Sequence, residues 1–126
     1  MAPAFRCGTK KAIDELAEEL NLPNSLTMQD WSYEVSNPND LGKYISHYSL
    51  TIDEDKKFVL MEMILQGIVN QPTEEQLLFY WKRVYPFLTE NFKIHEFTIN
   101  YWQNLTEGEF DNYKILSQLL RQALEE

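Results

Sequence analysis

Residues 58–69, Phe58-Val59-Leu60-Met61-Glu62-Met63-Ile64-Leu65-Gln66-Gly67-Ile68-Val69, carry one charge and are apolar almost all round a helical projection. A helix of that kind is covered on several sides, so the run predicts a central helix on which the rest of the chain packs. Its ends are marked. Thr51-Ile52-Asp53-Glu54 has the spacing of a capping box, in which the Thr hydroxyl and the Glu carboxylate satisfy each other's orphan amides. Gln71-Pro72 stops it. The run falls well short of the ~20 apolar residues that span a bilayer.

Helix signals recur on either side. Thr9 caps a first helix over about 10–20, with Ile13, Leu16, Ala17 and Leu20 on its inner stripe and Asn21-Leu22-Pro23-Asn24 ending it. Asn37 caps a second, about 38–48, with Pro38 at its start and Leu41, Tyr44, Ile45 and Tyr48 on one face. Thr73-Glu74-Glu75-Gln76 is a further capping box before Leu77, Trp81, Val84, Tyr85 and Leu88, with Pro86 expected to kink or end that helix. A segment at about 92–104 shows helical spacing in Ile94, Phe97, Thr98 and Tyr101, although its β-branched and aromatic content also allows a strand. Thr106 with Glu109 caps a last helix, and Leu105 with Phe110 suits a hydrophobic staple. Residues 22–36 are least regular. Trp31, Tyr33 and Val35 alternate with polar residues, which suggests an ordered, partly extended loop. The expected fold is all-α: one domain over 1–126, a bundle of about six helices built from antiparallel pairs, with residues 1–8 as a mobile tail.

Composition narrows the function. Eleven Lys and Arg against 20 Asp and Glu leave a net charge of −9. Nucleic acid and anionic membranes attract clustered cations, so neither is expected as a partner. The acids are spread through both halves, and many stand at helix starts, where the helix dipole favours them. The single cysteine, Cys7, forms no internal disulfide and fits a cytoplasmic location; no signal-peptide pattern opens the chain. Asn104-Leu105-Thr106 matches a glycosylation sequon that a cytoplasmic chain does not use.

Catalytic patterns are missing. Gly8, Gly42, Gly67 and Gly108 stand alone and make no phosphate loop. His95-Glu96 opens like a metalloprotease helix, but Ile99 occupies the second ligand position. No metal, cofactor or catalytic residue is therefore expected, with His95 read as a partly exposed helix residue and Cys7 as an inert thiol. Glu62 is the exception. Buried, it needs a partner such as Lys82, Arg83 or a Tyr hydroxyl, and its raised pKa suits acid–base chemistry. The plainer reading sets it on a wet strip of its helix with Asp55 and Gln66.

Aromatic and acidic side chains remain as the functional material. Asp30, Trp31, Tyr33 and Glu34 cluster in the irregular segment, Asp53, Glu54 and Asp55 stand in a row, and Phe79 lies off its helix's inner stripe near Arg83. Rings anchor protein partners and carboxylates steer basic ones, so these eight residues form the candidate partner-binding set.

Residues 29–70, from Gln29-Asp30-Trp31-Ser32-Tyr33-Glu34-Val35 through Lys57-Phe58-Val59-Leu60-Met61-Glu62-Met63-Ile64, resemble small acidic bacterial proteins of polymorphic-toxin and contact-dependent inhibition systems. Many of these are immunity proteins, made beside a toxin and binding it to block its active site. The resemblance covers about a third of the chain and implies a bacterial cytoplasmic inhibitor whose partner is a basic toxin domain; it carries over no residue roles. The alternatives are a structural or self-assembling helical protein, or a small enzyme using Glu62.

Overall fold

Every described segment of regular structure is helical, in a computed structural model that describes residues 5–25, 30–103 and 111–125. The helices are α1 (Lys10–Glu19), α2 (Trp31–Val35), α3 (Leu41–Leu50), α4 (Glu54–Val69), α5 (Glu74–Glu90), α6 (Phe92–Gln103) and α7 (Asp111–Glu125), with a 3-10 turn at Pro38–Asp40 leading into α3. The fold is all-α. The chain clusters into two compact units: Arg6–Gly67, and Ile68–Glu126 with Met1–Phe5.

In the first unit, Thr9 caps α1 through its hydroxyl, which accepts from the Ala12 N–H at 3.1 Å. Its C-terminus closes on Asn21, the one non-glycine residue with positive φ (55°) among the described residues. The Leu22 N–H reaches the Ala17 carbonyl at 2.8 Å and the Asn21 N–H that of Glu18 at 3.3 Å. This is a Schellman closure, with Asn in the left-handed position usually held by glycine. Asn37 caps the 3-10 turn, accepting from the Asn39 N–H at 2.9 Å, and its own N–H donates to the Tyr44 hydroxyl.

α4 is buried along nearly its whole length: Phe58 through Met61, Met63 through Leu65, and Ile68 are inaccessible to solvent. Its start differs from the expected capping box. Asp53, not Thr51, is the cap, its carboxylate accepting from the Lys56 N–H at 3.0 Å. Thr51 instead finishes α3, its hydroxyl donating to the His47 carbonyl at 2.7 Å. Asx side chains cap at least as well as Thr, and Asp53 stands three residues before a free amide.

Two further expectations are corrected here. Residues 31–35 form a helical turn rather than an extended loop, with Asp30 at its start: the Tyr33 and Glu34 N–H groups reach the Asp30 carbonyl at 3.0 Å. Residues 6–8 are fastened rather than trailing. Arg6 pairs with Asp55 at 3.0 Å and lies 5.5 Å from the Phe58 ring centroid, and Gly8 sits so close that a Cβ there would meet Val59 Cγ2 at 2.9 Å.

The second unit begins at the end of α4. Thr73 caps α5 as the spacing predicts, accepting from the Gln76 N–H at 3.1 Å while its hydroxyl donates to the Gln76 side chain. α5 runs through Pro86 to Glu90 instead of ending there, and turns into α6 at Asn91. The Asn91 N–H closes on the Phe87 carbonyl, and its own carbonyl accepts from Ile94. α6 is helical throughout, so the strand alternative is excluded. His95 on α6 is fully buried, not partly exposed. Trp102 stacks on Tyr113 of α7 at 5.9 Å, and Ser117 donates to the Gln103 carbonyl. The expected cap at Thr106 and the Leu105–Phe110 staple lie outside the described residues.

Candidate functional site

Thr51 is an extended residue between two helices, and it is half-buried. Side chains alternate about an extended residue, so its neighbours Leu50 and Ile52 both project to solvent. They are 82% and 91% exposed, more than any other large apolar residues in the described structure. Asp53 and Glu54 follow, both exposed. The result is an aliphatic knob with an acidic edge. Lone exposed aliphatics are ordinary; here two stand close together in the sequence, one on each side of Thr51.

The knob is held from both sides. Lys56 on α4 reaches Glu15 at 3.1 Å and Glu19 at 2.5 Å on α1, and His47 Nε2 on α3 lies 2.7 Å from the other Glu19 oxygen. Lys57 sits 5.7 Å from the Tyr48 ring centroid. These contacts tie the end of α3 and the start of α4 to α1. The Lys56 hydrogen bond, helped by His47, holds the Glu19 carboxyl below the usual range, and the same bond raises Lys56. A loop fixed before binding loses less entropy on binding.

The eight residues expected to bind a partner divide between the two units, and not all of them are exposed. Trp31 is 3% exposed, and its indole N–H donates to the Pro23 carbonyl at 2.7 Å, so it is a core residue and not a surface anchor. The two-residue alternation suggested outward rings, but a helical turn carries Trp31 inward. Tyr33 is half-buried, and its side chain hydrogen-bonds to Glu62. Asp30 and Glu34 are exposed but turned on each other, the Asp30 N–H donating to Glu34 Oε2 at 3.2 Å. Asp53 and Glu54 edge the knob, whereas Asp55 pairs with Arg6. Phe79, in the second unit, is 56% exposed beneath the Arg83 guanidinium, 5.8 Å from its ring centroid. Leu50 lies off the apolar stripe of α3 and Ile52 lies beyond its end, so neither belongs to a periodic pattern. Their signal was an aliphatic pair between a helix end and a cap.

Glu62 is half-buried, as are Asp55 and Gln66 on the same strip of α4. The Ser32 hydroxyl donates to it at 3.0 Å, and Tyr33 adds a side-chain hydrogen bond. Burial pushes its pKa up to about 7 against those two donors, and Asp30 adds to the rise. Its partners come from α2, not from Lys82 or Arg83, and the cluster pins α2 onto α4.

Among the described residues no three His, Cys, Asp or Glu side chains are grouped to hold a metal ion, and no helix is long and apolar enough to cross a membrane. Fold and site together define an all-α protein with an aliphatic, acid-edged knob. Comparison with known proteins returns no matching family model, no matching curated protein and no matching solved structure.

Proposed function

We propose that this chain is a non-enzymatic binding protein that docks a basic protein partner through Leu50, Ile52, Asp53 and Glu54. The observation that carries the reading is the knob itself: two exposed aliphatic side chains on a braced loop, followed at once by two exposed acids. The aliphatic pair supplies desolvated contact, and the acids, with the net charge of −9, steer a cationic partner into place. Inhibition of a basic toxin domain, in the manner of a cytoplasmic bacterial immunity protein, is the form of this function that the resemblance of residues 29–70 favours.

The test is co-expression with the protein encoded next to it. Growth arrest by that neighbour, relieved by this chain and not by its Leu50→Ser, Ile52→Ser double variant, supports the reading. A neighbour without toxicity, or equal rescue by the variant, overturns it. With a purified partner, the association rate falls steeply between low and physiological salt, because the attraction is screened beyond about 8 Å at 0.15 M.

Glu62 supports a second reading, an enzyme using a carboxyl that titrates near neutrality. Its hydrogen bonds to Ser32 and Tyr33 account for it structurally, so the binding reading is preferred.

A further inference from the structure

The second unit has an opening of the opposite character to the knob. A groove of about 270 Å³ runs between α5 and α7. Trp81, Tyr85, Leu119 and Ala123 line it, together with the exposed Lys82 and Gln122. The Trp81 and Tyr85 rings stand 5.8 Å apart and 59° to one another, so they form two tilted walls. The volume lies below the roughly 300–1,000 Å³ of pockets that enclose small-molecule ligands. It has the scale of a site for anchoring side chains from a protein.

Charge narrows the occupant. In the first unit Arg6, Lys10, Lys43 and Lys56 each lie within 4.0 Å of a carboxylate. Among the described residues Lys82, like Lys11, Lys57, Lys93 and Lys114, has no such partner, and Arg83 beside it lies against the Phe79 ring. An apolar groove with an unmatched cation on its edge fits an aliphatic side chain followed closely by a carboxylate. Leu50-Thr51-Ile52-Asp53-Glu54 of this same chain is such a segment. Its aliphatics are bare, and Glu54 has no ion pair among the described residues.

We infer that the Leu50–Glu54 knob of one copy of this chain seats in the Trp81–Tyr85–Leu119–Ala123 groove of a second copy, with Glu54 meeting Lys82. The inference shares the knob with the function proposed above but needs no foreign partner. Knob and groove are different surfaces, so copies join either reciprocally, each knob in the other's groove, or head to tail, with growth until a ring closes or an open array forms. The contact is small, within the weak class below about 1,200 Å² of buried area. Copies of charge −9 also repel one another, and salt screens that repulsion.

Sedimentation at near-physiological salt, with chain at about 0.1–1 mM as suits a weak interface, tests the inference. The unaltered protein is expected to show an average mass that rises with concentration to that of two copies or more. Leu50→Ser with Ile52→Ser removes the knob, and Lys82→Glu with Gln122→Glu makes the groove repel it. All four positions are exposed, and thermal melts confirm that both variants fold. Each variant alone is expected to be monomeric, while their equimolar mixture forms a one-to-one pair and nothing larger. A monomeric unaltered protein, association by either variant alone, or a mixture that stays monomeric overturns the inference. The groove variant keeps the intact knob for a basic partner, so failure here is distinguishable from failure of the proposed function.

Discussion

The Ser32 hydroxyl donates a 3.0 Å hydrogen bond to the Glu62 carboxylate, joining α2 to α4 across thirty residues of sequence. The bond compensates only part of the cost of burying that carboxyl, which stays raised to about 7.

Stability should therefore depend on pH through Glu62. An unfolded Glu titrates near 4.5 against about 7 in the fold, and each tenfold change in proton affinity corresponds to about 1.4 kcal/mol. Because the folded pKa is the higher one, the contribution of Glu62 is fully present below the unfolded value and is lost as pH rises through 7. Glu62→Gln is neutral at every pH. It should raise stability by on the order of 3 kcal/mol at pH 8 and change it little at pH 4. Urea melts at the two pH values check this; an equal effect at both would refute it.

Ser32→Ala removes the hydroxyl and leaves Glu62 with the Tyr33 hydrogen bond. Ser32 lowers the Glu62 pKa, so its loss should move the titration of Glu62 upward, a shift that side-chain NMR can follow. Above that titration the variant should lose about 1–3 kcal/mol, the usual cost of removing a partner from a buried charged acceptor.

The brace under the knob gives the opposite pH sense. Glu19 is held below its ordinary pKa by Lys56, so its contribution is present above the unfolded value and disappears as pH falls through the folded one. Lys56→Met should cost about 0.5–1 kcal/mol at neutral pH, the measured scale for partly exposed pairs, and less in high salt. Denaturant melts at two salt concentrations decide this.

Two glycines should respond in opposite directions. A Cβ at Gly8 would meet the buried, branched Val59 at 2.9 Å, so Gly8→Ala should destabilise by about 1 kcal/mol or more. A Cβ at Gly42, in the first turn of α3, meets nothing within 4 Å, and Gly42→Ala should stabilise by about 0.5 kcal/mol. Thermal melts of the two variants separate these outcomes.

Much of the fold was legible because local signals agreed with one another. Thr9, Asn37 and Thr73 cap where their spacing predicts, and Phe58 through Val69 form the buried helix that their all-round apolarity demands. The misreadings occur where two local signals compete. Thr51 and Asp53 both resemble caps, and only the geometry of the loop assigns Thr51 backward to α3 and Asp53 forward to α4. Trp31, Tyr33 and Val35 alternate like a strand, but five residues are too few to separate that pattern from a single helical turn. The candidate site was less legible. Exposure of Leu50 and Ile52 depends on the direction in which one extended residue leaves a helix, which composition does not encode. The partial burial of Glu62 likewise depends on α2, thirty residues away.

Asn112 on α7 donates from its side-chain amide to the Val69 and Gln71 carbonyls, both at 3.0 Å. During synthesis the residues that terminate α4 leave the ribosome long before the amide that satisfies them. Arg6–Asp55, Ser32–Glu62 and the Ser36 hydroxyl on the Met63 carbonyl, by contrast, all lie within the first 67 residues. The first unit can acquire its internal fastenings while translation continues, whereas the last turn of α4 waits for nearly the whole polypeptide. A stalled or shortened chain would keep the knob and its brace and leave that helix end unsealed.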